Sequence, residues 1–254
     1  MSRPASLVTS TAALAGMELR LALRRGENLL VMAVIPVAVL LFFGGLGVIP
    51  LAGDRAVDFL LPGSMALAII ATSLVNLGIA TAYERSYGVL KRLGGSPLPR
   101  AGLVAAKIAA VLVIEVVQLA LLLAVAIVVL GWSPPAGTNP AALAGLLALG
   151  LALGTLAFAG LGLLMAGTLR AEATLALANG LFLAFLLLGG IVLPLDHLPA
   201  WLAAIAGVLP ANALADVFRV ALGADAANLA SDLGLLAVWG LAASALAVRN
   251  FRWE

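Results

Sequence analysis

Apolar residues run along this chain in long blocks cut by short polar breaks. That pattern is neither the alternation of a half-buried strand nor the one-sided stripe of a soluble helix. A block of about 20 residues at 1.5 Å per residue reaches roughly 30 Å, the thickness of bilayer hydrocarbon. Such blocks lie at about Leu29–Val48, Pro62–Ala82, Leu103–Leu130, Ala141–Ala166, Thr174–Val192 and Leu233–Val248. They predict an all-α membrane protein with six transmembrane helices, forming a single transmembrane domain over residues 1–254. The first block is longer than a signal-peptide core, and Pro36 should kink it. The last block is short, so local bilayer thinning or an ill-defined boundary is expected there rather than tilt.

The breaks have distinct textures. Met1–Asn28 is polar enough to lie outside the hydrocarbon, and Ser10 or Thr11 is placed to cap a helix running through Arg25. Ala12, Ala15, Leu19 and Leu23 form an apolar stripe beside Arg20 and Arg24, which predicts an N-terminal interfacial helix meeting anionic headgroups. Pro50–Leu61 reads as a short polar loop, and residues 131–140 as an uncharged turn with Trp132 as an interface anchor. Residues 193–232 are broken by Pro194, Asp196, His197, Pro199 and Pro210. The pieces Ala200–Val208, with Trp201, and Ala211–Leu222, with Asp216 and Arg219, are too short to span. They predict re-entrant or interfacial helices sheltered by protein.

Composition agrees with the pattern and excludes several chemistries. The chain is 64% hydrophobic and 10% charged, with mean hydropathy +1.18; soluble domains run near 45–50% and about 25%. With no cysteine, disulfides, thiolate metal sites and cysteine nucleophiles are excluded. His197 is the one histidine, which argues against a histidine metal site or relay. With the N-terminus inside, six crossings bring the C-terminus back to the cytoplasm. The inner side then holds Arg3, Arg20, Arg24, Arg25, Arg85, Lys91, Arg92, Arg100, Lys107, Arg170, Arg249 and Arg252, and the outer side Arg55 and Arg219. Twelve against two is a strong positive-inside bias.

Tyr83–Arg100 (YERSYGVLKRLGGSPLPR) concentrates charge in a chain that has little of it. Tyr83–Leu93 has the length of a two- to three-turn helix, stopped by Gly94-Gly95 and Pro97. Tyr83, Tyr87 and Leu90 fall near one face, and Arg85 and Arg92 on another. Such a helix suits docking to a soluble partner; a plain basic loop that enforces topology fits the local pattern equally.

Two sets of residues resemble the type-2 permeases of ATP-binding-cassette (ABC) exporters. One is Glu84-Arg85, Gly88, Ser96-Pro97-Leu98-Pro99-Arg100 and Lys107; the other is Gly189-Gly190-Ile191, Pro194, Leu198-Pro199-Ala200-Trp201-Leu202, Leu209-Pro210 and Arg219. The family often has Ser-Gly where this chain has Gly189-Gly190. The resemblance implies a cytoplasmic coupling helix within residues 83–100, with Glu84, Arg85, Tyr87, Gly88, Lys91 and Arg92 as ATPase-coupling residues. It further implies outer re-entrant helices over residues 193–232 carrying Pro194, Pro199, Trp201, Pro210 and Arg219. Expected partners are an ABC ATPase subunit, a second permease copy and the lipid bilayer, with no nucleic acid, in a prokaryotic-type plasma or inner membrane. No Gly-x-x-x-x-Gly-Lys-Ser/Thr loop is present, so ATP and Mg are expected on the partner and no cofactor on this chain.

Polar groups inside the apolar blocks are the remaining candidates. A carboxylate at mid-span costs roughly 2.5–3.5 kcal/mol on insertion scales, so Glu115 needs a partner or a pathway. Gln118 lies one turn on, and Asn76 and Asn179 are the other mid-span polar groups. All four are translocation-path candidates, with interhelical hydrogen bonding as the competing reading. The expected function is a permease moving an amphipathic drug, antibiotic or lipid-like compound outward. The alternatives are a lipid-linked glycan exporter, a non-transporting membrane anchor, or an ion-coupled carrier using Glu115.

Overall fold

The computed structural model describes residues 6–24, 26–46, 56–95, 98–192, 194–226 and 228–253. Arg3, Arg25, Asp54, Arg55, Ser96 and Pro97 lie outside the described residues. Regular structure among the described residues is helical: α1 (Leu7–Arg24), α2 (Gly26–Leu46), α3 (Ala56–Ile69), a π segment (Ile70–Asn76), α4 (Leu77–Ser86), α5 (Val89–Gly94), α6 (Arg100–Val128), α7 (Pro140–Thr168), α8 (Ala171–Leu188), a 3-10 turn (Leu195–His197), α9 (Ala200–Gly207), α10 (Pro210–Ala221) and α11 (Leu229–Asn250). Five runs among the described residues are long and apolar enough to cross a bilayer: Ala56–Ser86, α6, α7, α8 and α11. The first expected span corresponds to α2, 21 residues with Pro36 inside, whose described apolar stretch, Met32–Gly44, is too short to count among them; Ala200–Gly207 and Pro210–Ala221 make a sixth only if that bent pair is one span. Val117, Val128, Leu183 and Leu241 stand exposed on the outward faces, a surface that only lipid or another membrane chain covers without cost. The protein is a multi-pass membrane protein.

Several expected boundaries shift for local reasons. α1 begins at Leu7, with the Thr9 N–H donating to Ser6 Oγ at 3.2 Å, so the cap is Ser6 and not Ser10 or Thr11. Its inward face carries Leu14, Ala15 and Glu18, whereas Ala12 and Leu23 of the expected stripe are exposed. The second span starts at Ala56, because Asp58 in the first turn complements the helix dipole and Pro62 is accommodated inside the helix. α11 starts at Leu229 with Asp232 in its first turn; its 22 residues reach about 33 Å, so the last span is not short. Trp132 is a core residue and no interface anchor: it is 5% exposed, and its backbone N–H donates to the Ala126 carbonyl at 2.9 Å.

α7 is the post around which the bundle is built, packed on α11, α4, the π segment, α10 and α6. Small residues permit this. A Cβ at Gly160 would lie 2.7 Å from the Ser244 nitrogen, and one at Gly162 would lie 2.8 and 2.9 Å from the Ser73 and Leu74 carbonyl oxygens. α7 therefore meets the π segment backbone to backbone. Gly150 and Gly154 face Phe218 and Leu214, seating α10 on the same post. Gly162→Ala is expected to cost about 1–3 kcal/mol, because its clash is with main chain and not with a movable side chain. Gly145→Ala, where a Cβ meets nothing within 4 Å, should be neutral; thermal unfolding in detergent compares the two.

Candidate functional site

The run Ala56–Ser86 is 31 residues, about 45 Å at helical rise, so it overshoots the hydrocarbon and carries its last turn into polar surroundings. There the expected continuous helix Tyr83–Leu93 divides in two. α4 stops at Ser86, Gly88 turns left-handed at φ +72°, and α5 resumes at Val89 for six residues. A Cβ at Gly88 would meet nothing within 4 Å, so the backbone turn and not crowding within this chain calls for glycine. Leu90 is buried, Lys91 and Arg92 are exposed, and Tyr87 is 78% exposed with its ring 6.0 Å from that of Tyr83.

α5 is held by an apolar cluster of Leu14, Leu90, Leu103, Ala106 and Phe251, which gathers α1, α5, α6 and the C-terminal segment at one end of the bundle. Next to Ala106 on α6 is Lys107, 1% exposed, donating to Glu18 at 2.8 Å and to Glu84 at 2.7 Å. The two carboxylates are themselves only 14% and 18% exposed. Glu84 thus faces inward, tying the end of α4 to α6 and α1. Asn76 lines a narrow cleft of about 60 Å³ beside this triad. Arg85 also points into the fold, donating from Nη2 to the Leu169 carbonyl at the α7–α8 turn. Glu18 and Lys107 escaped the sequence reading as a pair. The available signal was a lone lysine within the first turns of a 29-residue apolar helix, which is unfavourable unless a carboxylate meets it.

Mid-bundle, the π segment presents its hydroxyls to α6. Glu115, 0% exposed, accepts a hydrogen bond from Ser73 Oγ at 2.6 Å and another from Thr155 Oγ1. Gln118 Oε1 accepts from Thr72 Oγ1 at 2.9 Å, while its amide nitrogen has no hydrogen-bond partner among the described residues and its side chain borders Ala33, Pro36 and Val37 of α2. The Glu115 and Gln118 contacts are interhelical. Asn179 differs: its amide donates to the Leu175 carbonyl of its own helix at 2.8 Å on an exposed face, so it bridges no helices within the described chain.

The family model for ABC-2 type transporters matches residues 9–222, which takes in nearly all of α1 and continues through α10. The chain belongs to the ABC-2 type transporter family. No curated protein matches it. An ABC-2 permease is a transport subunit and not a catalytic one, and membership implies an ABC ATPase partner.

At the far end of this ABC-2 domain the expected prolines act as helix starters: Pro194 precedes the 3-10 turn, Pro199 caps α9 and Pro210 is the first residue of α10. α9 and α10 meet at 76°. Trp201 on α9 is exposed, while α10 is largely buried. Arg219 donates to Asp216 and to the Gly190 carbonyl, and its guanidinium lies 4.5 Å from the centre of the Phe59 ring. Gly190 has φ +63°, and a Cβ there would lie 2.8 Å from Asn212 Oδ1, so glycine is required where Arg219 is held.

Proposed function

We propose that this ABC-2 permease belongs to an ATP-driven exporter that moves an amphipathic drug, antibiotic or lipid-like compound out of a prokaryotic-type cell. Its termini and the Ser86–Gly95 turn lie in the cytoplasm, where a separate ATP-binding subunit holds ATP and Mg. The turn acts as the coupling element, and residues 193–232 form the outer re-entrant segment. The observation that carries this reading is the gathering of Arg85, Lys91, Lys107, Arg170 and Arg252 at one end of an ABC-2 bundle, which the positive-inside rule orients toward the cytoplasm. Tyr87 and Arg92 stand outward there, and Gly88 sets the turn on which they sit.

The test uses inverted membrane vesicles containing the permease and its ATP-binding subunit. An amphipathic fluorescent dye should accumulate on addition of ATP and should not accumulate when a proton gradient alone is imposed. Uptake driven by the gradient without ATP would overturn the proposal in favour of an ion-coupled carrier.

A further inference from the structure

The narrow cleft beside Lys107 has a polar end and an apolar end. α1 packs chiefly along α6. A Cβ at Gly102 would lie 3.2 Å from Thr11 Oγ1, and further on Glu18 reaches Lys107, so the two helices climb side by side in one direction. α4 runs the opposite way, with Glu84 at the level of Lys107. The cleft between them is charged where Glu18, Glu84 and Lys107 meet. Leu21, Ala22, Leu77, Ala80 and Val111 wall it beyond that point, and it ends at Ile114 and Asn76. From Lys107 to Ile114 is about 10 Å at helical rise.

The charges at the polar end do not balance. Two carboxylates share one ammonium, each through a single oxygen, which leaves Glu18 Oε2 and Glu84 Oε1 without a hydrogen-bond donor among the described residues. Arg20 and Arg24 stand on exposed positions of α1, outside this lining. A surplus negative charge that is half-sealed beside apolar walls is unfavourable and is relieved by a cation. A bare divalent ion is a poor match, since calcium takes six to eight oxygen ligands and two carboxylates fall short. A cation that carries hydrocarbon satisfies both ends. At about 60 Å³ the cleft is too small for a whole lipid and suits a head group with its first carbons.

We infer that this cleft binds the primary ammonium head of a membrane amphiphile. The N–H groups donate to the remaining oxygens of Glu18 and Glu84, the first carbons lie against Ala22, Leu77 and Val111, and the chain leaves past Leu21, which is 40% exposed. Ethanolamine lipids and cationic amphipathic cargo both carry such a head. The inference rests on the permease reading above for the leaflet in which the cleft lies, and it names the head-group chemistry that the reading leaves open.

The experiment titrates the full-length permease alone, in a neutral maltoside detergent, by native mass spectrometry. The probes are decylammonium, decyltrimethylammonium, decyl sulfate and dioleoyl phosphatidylethanolamine. Decylammonium should bind about tenfold or more tighter than decyl sulfate or the trimethyl compound, which has no N–H to donate. Glu18→Gln leaves Lys107 paired with Glu84, and Ala22→Trp fills the cleft without altering charge. Each should weaken decylammonium binding about tenfold or more, and the thermal midpoint shows which of them stays folded. Displacement of decylammonium by phosphatidylethanolamine supports the site with lipid as its source; retention of decylammonium against that lipid supports it with cargo as its source. Equal binding of decylammonium and decyl sulfate, or undiminished binding in a folded variant, overturns the inference. The assay uses neither ATP nor the ATP-binding subunit, so that failure leaves the permease reading standing. Selective ammonium binding without ATP-driven dye uptake overturns the permease reading instead.

Discussion

Replacing Lys107 by alanine should destabilise the protein more than any other single charge change in it. The ammonium is 1% exposed and is shared by Glu18 and Glu84; without it two half-sealed carboxylates face each other with no cation between them. Removing one partner from a buried ion pair costs about 3–5 kcal/mol, a sizeable part of the roughly 5–15 kcal/mol that holds a typical domain folded. Thermal unfolding in detergent should show a midpoint lower by on the order of 10 °C. The triple change Lys107→Met, Glu18→Gln and Glu84→Gln should recover most of the loss, because neutral groups of similar size carry little penalty there. A triple variant as unstable as Lys107→Ala would mean that shape, and not charge pairing, sets the site.

The second large effect is expected at Glu115. Its carboxyl group receives Ser73 and Thr155, and Thr155 Oγ1 also lies 2.6 Å from the Leu151 carbonyl. Glutamine can accept from Ser73 with its oxygen and donate to Thr155 with its nitrogen, so Glu115→Gln should keep both the thermal midpoint and ATP-driven dye uptake. Glu115→Leu strands the Ser73 hydroxyl and should cost about 1–3 kcal/mol. Lost uptake at an unchanged midpoint in the glutamine variant would place Glu115 on the translocation path.

What sequence could convey here was local. Apolar block length predicts α6, α7 and α8 to within a few residues, and Pro199 and Pro210 mark the starts of α9 and α10 because a proline's fixed φ and missing N–H act where it stands. The two-motif resemblance found the family for a similar reason, since its residues sit in short runs. Long-range facts were not legible. Glu18 and Lys107 lie 89 positions apart, and nothing in α1 alone distinguishes an acid facing solvent from one turned onto a lysine. Trp132 next to a turn looks like an anchor until its N–H bonds back to the Ala126 carbonyl of α6 and the residue joins the core. The break at Gly88 is a compromise: residues 83–93 have helical preferences, but α4 arrives at an angle that only a left-handed residue can redirect toward the Leu14–Phe251 cluster. Nothing in the Ile70–Asn76 sequence marks it as a π segment.

That segment has a rotational consequence. A π turn takes in about one residue more than an α turn, and each residue of an α-helix advances by about 100° around the axis. Were Ile70–Asn76 ordinary α-helix, everything after Asn76 would be swung by roughly that angle. Glu84 would leave Lys107, Arg85 would leave the Leu169 carbonyl, and Tyr87 would point elsewhere. The azimuth of the Ser86–Gly95 turn is therefore dialled in nearly three turns deeper, inside the bilayer, by a widened stretch of helix that α7 holds through Gly162.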